Sequence, residues 1–165
     1  MLKIILAFVC LWTTQFTTAK DIKIESLINR QSINCEMPNP MINFINDVNQ
    51  QNKKHIQVNK ALQTVQLDKN KYLGVQGYQH YKTKNVDQDD FAVNTQVYGV
   101  KLIKIALQGI RTVESESGAY YFIFEGKPST VTYHIRKAMA NDWNIENTLE
   151  ETPQGNSKLV CVYAG

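Results

Sequence analysis

The second half of the chain carries the clearest pattern of apolar and polar positions. Residues 97–107 are rich in β-branched side chains, a polar stretch with two glycines follows, and residues 119–125 are aromatic and apolar. Two such runs joined by a polar turn predict a pair of antiparallel strands. Apolar side chains then recur at helical spacing, which predicts a helix over residues 129–140 with Ser129 or Thr130 as its N-cap.

A second amphipathic helix is predicted over residues 40–54. Asn39 is a favourable N-cap, and Pro40 suits the first helical position, where no backbone N–H is needed. The apolar side chains fall at i, i+3, i+4 and i+7 and form one stripe: Met41, Phe44, Ile45 and Val48. We expect this stripe to pack on the chain's own sheet, although it would also suit a groove on a partner.

The remaining segments complete an expected α+β fold. Residues 61–67, 72–81 and 159–164 have strand character, whereas the charged stretch 82–90 is interpreted as a solvated loop and 20–34 as a short strand or loose arm. We therefore predict a single domain with a mainly antiparallel sheet of four to five strands and two helices packed on it.

The N-terminus has the pattern of a secretory signal peptide. Lys3 precedes an uncharged apolar run of nine residues, 4–12, and Ala19 provides a small residue at the expected cleavage site. The alternative is a membrane anchor, but a span needs about 20 apolar residues. We predict cleavage of residues 1–19, with residues 20–165 secreted or periplasmic, and no membrane span in that mature chain.

The net charge and the cysteines indicate which partners to expect and whether the chain holds a disulfide. A formal net charge of +3 is too small for a nucleic-acid footprint, so no nucleic-acid partner is expected. Cys10 leaves with the signal peptide, and the remaining pair in an exported chain predicts a disulfide between Cys35 and Cys161. Closing so long a loop is worth roughly 4–5 kcal/mol in the chain-entropy view. Two buried free thiols are the alternative.

Recognisable catalytic and metal-binding motifs are missing from the sequence. No metalloprotease, nucleophile-elbow or phosphate-loop motif occurs, and the D-x-D-D acids of residues 87–90 lack the glycine and distal glutamate of a calcium loop. The nearest constellation is a local group of polar side chains, Tyr78, His80, Tyr81 and Asp87. We therefore predict no catalytic residue, metal ligand or cofactor.

A tyrosine-rich segment provides the leading functional hypothesis. Tyr72, Tyr78 and Tyr81 lie within ten residues that also hold two glycines, and exposed tyrosines are enriched at protein interfaces. We predict an exported inhibitor, immunity or escort protein that binds another exported protein through these rings, unless they fill the sheet's own surface. The alternative is a small hydrolase or lyase at His80 or His134. A histidine that meets a carboxylate or tyrosine beside a pocket would favour the enzyme.

Overall fold

The structure is a computed structural model that describes residues 24–49, 56–67, 72, 74–111, 116–143 and 149–164. The predicted signal peptide and His55 lie outside these residues. None of the described helices is both long and apolar enough to cross a membrane.

The described residues contain three α-helices and two 3-10 turns. In chain order they are a 3-10 turn at Ile24–Leu27, α1 at Arg30–Ile33, α2 at Asn39–Asn49, α3 at Pro128–Met139 and a 3-10 turn at Ala140–Asp142. The prediction of a strand or arm before residue 34 was wrong over its described part. A capping box explains the helix, since the Asn29 side chain accepts from the Ser32 amide and the Ser32 hydroxyl accepts from the Asn29 amide.

Helices α2 and α3 confirm the two predicted helices, but their ends differ from the predicted bounds. The α2 helix begins at Asn39, and residues 50–54 of its predicted span lie outside the described chain. The α3 helix begins at Pro128 with Lys127 as N-cap, not at Ser129 or Thr130. The proline ring fixes φ near its helical value, so the first turn forms earlier than the hydroxyl side chains suggested.

In the described part of the chain, eight strands form two antiparallel sheets. The small sheet pairs β1 (Ile56–Asn59) with β2 (Thr64–Leu67). The main sheet has the order β3-β4-β5-β6-β8-β7, and its strands are β3 (Val75–Lys82), β4 (Val86–Val97), β5 (Val100–Arg111), β6 (Glu116–Phe124), β7 (Glu150–Glu151) and β8 (Ser157–Ala164). The α+β class and the mainly antiparallel sheet are confirmed, but the main sheet has six strands instead of four to five.

The segment predicted as a solvated loop over residues 82–90 is largely strand. Only Thr83–Asn85 turns, closed by a 2.8 Å hydrogen bond from the Thr83 amide to the Val86 carbonyl oxygen. Acidic residues are normally depleted in strands. Here Asp87 lies opposite Lys82, Asp89 lies opposite His80, and Asp90 accepts from Lys104 of the next strand. These contacts compensate the acids and stabilise the pairing that composition alone argued against.

One core lies between the helices and the face of the main sheet that we call the inner face. In register across four strands this face carries Phe91, Ile105, Phe122 and Leu159, all fully buried. Phe44 of α2 meets Phe91 edge to face at 5.2 Å between ring centroids. Burial of each such side chain stabilises the fold by about 1.5–3 kcal/mol relative to exposure.

The predicted disulfide is confirmed. Cys35, which follows α1, is bonded to Cys161 of β8, so the bond ties the helical N-terminal segment to the sheet. The Tyr120 hydroxyl of β6 reinforces this junction by donating towards the carbonyl oxygens of Ser32 and Glu36, at 3.1 and 2.9 Å.

Candidate functional site

The inner face changes from apolar to charged along the β3–β4 pair. On β4, Phe91 is followed on the same face by Asp89 and Asp87, because side chains two residues apart share a face. The opposing positions on β3 are Tyr78, His80 and Lys82. The strand alternation therefore aligns two acids with a histidine and a lysine at the end of the sheet next to the β3–β4 turn.

Two glycines are paired in the sheet beside these charges, and one of them, Gly109, lines a cleft. Gly109 of β5 lies opposite Asp87 on one side and Gly118 of β6 on the other, and Gly118 in turn faces Tyr163 of β8. The Tyr163 ring lies over Gly118 so closely that a Cβ there would come within 2.3 Å of it. The Tyr163 ring therefore fills the space over Gly118, whereas the missing side chain at Gly109 leaves a hollow.

This hollow is a polar cleft of about 320 Å³, whose lining includes Asn49, Lys60, Lys82, Asp87, Asp89, Gly109 and Tyr163. Most of these side chains are charged or hydrogen-bonding, so the cleft suits a polar ligand better than an apolar one.

Lys60 reaches the acids from the turn between β1 and β2. Its ammonium nitrogen lies 2.9 Å from Asp87 Oδ1 and 3.4 Å from Asp89 Oδ2, while the Lys82 ammonium is 3.6 Å from Asp87 Oδ2. Asp89 is nearly buried, with 6% of its side chain exposed, whereas Asp87 and Lys60 are partly solvated. The small sheet is therefore tied to the main sheet by an ion pair.

His80 is held by a buried carboxylate. Its Nδ1 atom lies 2.9 Å from Asp89 Oδ1 and 3.7 Å from Asp87 Oδ1. The Tyr78 hydroxyl donates to the same Asp89 oxygen at 2.5 Å. When Nδ1 carries the proton and donates it to Asp89, the neutral ring keeps a lone pair on Nε2. We call His80, Asp87, Asp89, Lys60 and Tyr78 the His80 cluster.

The electrostatic field of the cluster changes the acidity of its members. Burial alone would raise the pKa of Asp87, but the Lys60 ammonium and the nearby His80 and Lys82 hold it below its usual value. Burial alone would lower the pKa of Lys60, and Asp87 and Asp89 reverse this and raise it. Burial and the bond to Asp89 raise the pKa of the Tyr78 hydroxyl, which therefore stays protonated.

The structure does not bring the three predicted interface tyrosines together. Tyr72 is only 2% exposed; its ring meets Phe44 edge to face, and its hydroxyl donates to Asp47. Tyr78 is half-buried on the inner face. Tyr81, three residues further along β3, lies on the outer face and is 47% exposed. The ring of Tyr72 is thus a core element, and Tyr81 is the ring most available for contact.

The two described histidines lie at opposite ends of the β4–β5 hairpin. His80 is close to the end where β4 begins, whereas the Nδ1 atom of His134 in α3 lies against Gly99 in the turn where β4 ends. The His134 ring also meets the Tyr133 ring edge to face. The two histidines therefore do not contribute to one site.

Sequence reasoning missed Lys60, Asp89, Gly109 and Tyr163 as site residues. Their association depends on strand register and on a hairpin that folds over the sheet, which no local motif reveals. One signal was present, because the i, i+2 spacing of Asp87 and Asp89 puts both on one face of a strand.

Comparison with known proteins returned no matching family model, no similar curated protein and no similar solved structure.

Proposed function

We propose that the chain is an exported binding protein that captures an extended segment of another exported protein along the edge of β3. The observation that carries the proposal is the position of β3 as the terminal strand of the main sheet. It pairs with β4 on one side, and no other described strand hydrogen-bonds to its second edge. An edge strand presents backbone N–H and C=O groups, and an extended peptide can add to them as a further strand.

The side chains along β3 support recognition at this edge. Tyr81 and Gln79 project from the outer face, and the Tyr81 hydroxyl donates to Gln79 at 2.5 Å. A tyrosine held in this way provides a large contact area at small entropic cost. Lys82 and Lys84 are exposed at the turn, so an acidic residue in the partner would be favoured there.

Two separate observations support the proposal that the protein is exported. The signal-like N-terminus predicts it, and the Cys35–Cys161 disulfide is typical of an oxidising compartment.

A display library of linear peptides tests the binding proposal. Peptides selected by the disulfide-bonded protein are expected to bind Tyr81→Ala about fivefold more weakly, equivalent to about 1 kcal/mol, without a lower melting temperature. Tyr133→Ala is the matched control, because Tyr133 of α3 is also exposed, at 62%, and lies away from β3. Tyr72→Ala is expected to lose stability instead, because that ring is in the core.

Amide hydrogen exchange separates edge addition from other kinds of binding. Strand addition would slow exchange of β3 amides that face away from β4, and would leave α3 amides unchanged. A selected peptide that protects α3 and not β3, or that binds Tyr81→Ala as tightly as the wild type, would contradict the proposal.

A second candidate function, a small hydrolase or lyase, is favoured by one observation. His80 contacts a nearly buried carboxylate and lies in the same cluster as a tyrosine beside a cleft, an arrangement that also orients a general base. Under this candidate His80→Gln would lower activity on a hydrolase substrate panel by about 10²-fold or more, and His134→Gln would not. Equal activity in the two variants would exclude His80 as the base.

A further inference from the structure

We propose that His80, Asp87 and Asp89 form a binding site for a divalent transition-metal ion, with Zn²⁺ as the best match. Three ligand atoms, His80 Nδ1 and one carboxylate oxygen from each aspartate, all lie within 4.8 Å of one another. The proposal goes beyond partner binding at the β3 edge and does not depend on it.

The spacing of these atoms fits a small metal ion. Zn²⁺ binds imidazole nitrogen and carboxylate oxygen at about 2.0–2.2 Å, which places neighbouring ligand atoms of a tetrahedron about 3.3–3.6 Å apart. The His80 nitrogen lies 2.9 Å from Asp89 Oδ1 and 3.7 Å from Asp87 Oδ1, on either side of that range. Side-chain rotation would bring the three ligand atoms, which already lie within 4.8 Å of one another, to that spacing.

The backbone and an outer contact already orient the ligands. His80 and Asp89 are directly opposed in the antiparallel ladder, and Asp87 occupies the next position on the same face of β4. The Tyr78 hydroxyl donates to Asp89, which is the kind of supporting hydrogen bond that fixes metal-binding carboxylates. Because the ladder holds both strands, little conformational freedom has to be lost when the ion binds.

The donor set selects the class of ion. Calcium prefers six to eight oxygen ligands, and magnesium prefers carboxylates and water, so neither gains from an imidazole nitrogen. One imidazole and two carboxylates suit zinc and its neighbours in the first transition row. Asp87 and Asp89 also line the cleft, so a fourth coordination position would be available to water or a ligand there.

Lys60 acts in this proposal as an internal cation that competes with the metal. Its ammonium contacts the same two carboxylates, at 2.9 and 3.4 Å. A divalent ion on these oxygens would lie within a few ångströms of that charge and repel it. Metal binding would therefore displace Lys60 and release the tie between the β1–β2 hairpin and the main sheet. This competition distinguishes a metal site from an ordinary ion-pair network.

The test is a Zn²⁺ titration of the metal-free, disulfide-bonded protein against a chromophoric chelator. We expect one Zn²⁺ per chain, with affinity lowered about tenfold or more in His80→Ala and in Asp89→Asn. Lys60→Met is expected to bind Zn²⁺ about fivefold more tightly, because the competing charge is gone. His134→Ala is the control and should bind as the wild type does.

Co²⁺ provides an independent spectroscopic readout. Bound at this site it should give the visible absorption of a tetrahedral nitrogen–oxygen complex, and His80→Gln, which keeps a side chain of similar size, should lack it. Thermal denaturation is measured for each variant as a control that the variant is folded. Absence of saturable binding to the wild type, binding that survives in folded His80→Gln, or an unchanged affinity in Lys60→Met would each overturn the proposal.

Discussion

Asp89 and Asp90 are neighbours in sequence, but their side chains lie on opposite faces of the main sheet. Asp89 faces inward and contacts His80 and Tyr78, whereas Asp90 faces outward, where it accepts from Lys104 at 2.6 Å. Both are nearly buried, and a buried carboxylate is tolerated only when charged or hydrogen-bonding groups compensate it. Strand alternation thus divides one acidic run between two networks, and only the inner one lies beside the cleft.

The ion pair between Lys60 and Asp87 should make stability depend on pH. The lowered pKa of Asp87 means that its contribution is present above the unfolded-state value, about 3.9, and is lost as pH falls through the folded-state value. The raised pKa of Lys60 means that its contribution is present below its unfolded-state value and is lost as pH rises through the folded-state value. The pair therefore stabilises the fold between about pH 4 and pH 10.

Lys60→Met is expected to lower the melting temperature at pH 7 by about 1–4 °C, because a partly solvated pair contributes roughly 0.2–1 kcal/mol. At pH 3 the difference from the wild type should shrink. Scanning calorimetry at pH 7 and pH 3 measures the difference in melting temperature, with Lys127→Met as an exposed-lysine control. An equal difference at pH 7 and pH 3 would mean that the Asp87 pair is not responsible.

At the scale of elements, two glycines, Gly109 and Gly118, are paired across β5 and β6, and only Gly109 lines the cleft. Both lie on the inner face, but their surroundings differ. A Cβ at Gly109 would have the Asp87 carbonyl oxygen as its nearest atom, at 3.8 Å, whereas a Cβ at Gly118 would collide with the Tyr163 ring. The first position is open, and the second is covered.

Gly118→Ala is therefore expected to displace the Tyr163 ring and weaken its stacking on Tyr120, now at 6.4 Å. Forced shifts of this kind cost about 1–3 kcal/mol. Gly109→Ala, its cross-strand neighbour, should change stability by less than about 0.5 kcal/mol. Urea denaturation of the two variants makes the comparison. Equal losses would show that glycine is needed in both strands for a reason other than the Tyr163 ring.

Local patterns predicted the elements whose signal lies within one segment. The apolar stripe of α2 and the apolar runs of β5 and β6 were recognisable because each signal lies within the element itself. The β4 strand was missed because its acids disfavour strand, and the groups that compensate them, among them His80, Lys82 and Lys104, lie on other strands. His80, Tyr78 and Asp87 stood out by proximity in sequence, whereas Lys60 joins them only through folding of the β1–β2 hairpin.

At the scale of the whole molecule, the disulfide encloses nearly all of the described fold. Cys35 and Cys161 are 126 residues apart, and both α2 and α3 and seven of the eight strands lie between them, with β8 carrying the second cysteine. The chain-entropy view assigns a loop of this length a stabilisation of about 5 kcal/mol, because the unfolded chain loses conformations when it is closed.

Reduction is expected to lower the free energy of unfolding by about 2–5 kcal/mol, since measured effects often fall below the entropic value. Urea denaturation with and without reductant measures it. The double variant Cys35→Ala/Cys161→Ala should match the reduced protein and should not respond to reductant. A midpoint that is the same in oxidised and reduced protein would contradict a stabilising role for this bond.

The same closed loop determines how the protein would respond to mechanical tension. Force applied to the chain outside residues 35 and 161 passes through the sulfur–sulfur bond, so the strands inside the loop bear none of it. The 126-residue separation between the two cysteines corresponds to about 430 Å of chain when it is pulled straight. That length does not add to the extension of the chain while the disulfide is intact, and it does so once the disulfide is reduced. In a single-molecule stretching experiment, the length of the chain would therefore report the oxidation state of one bond.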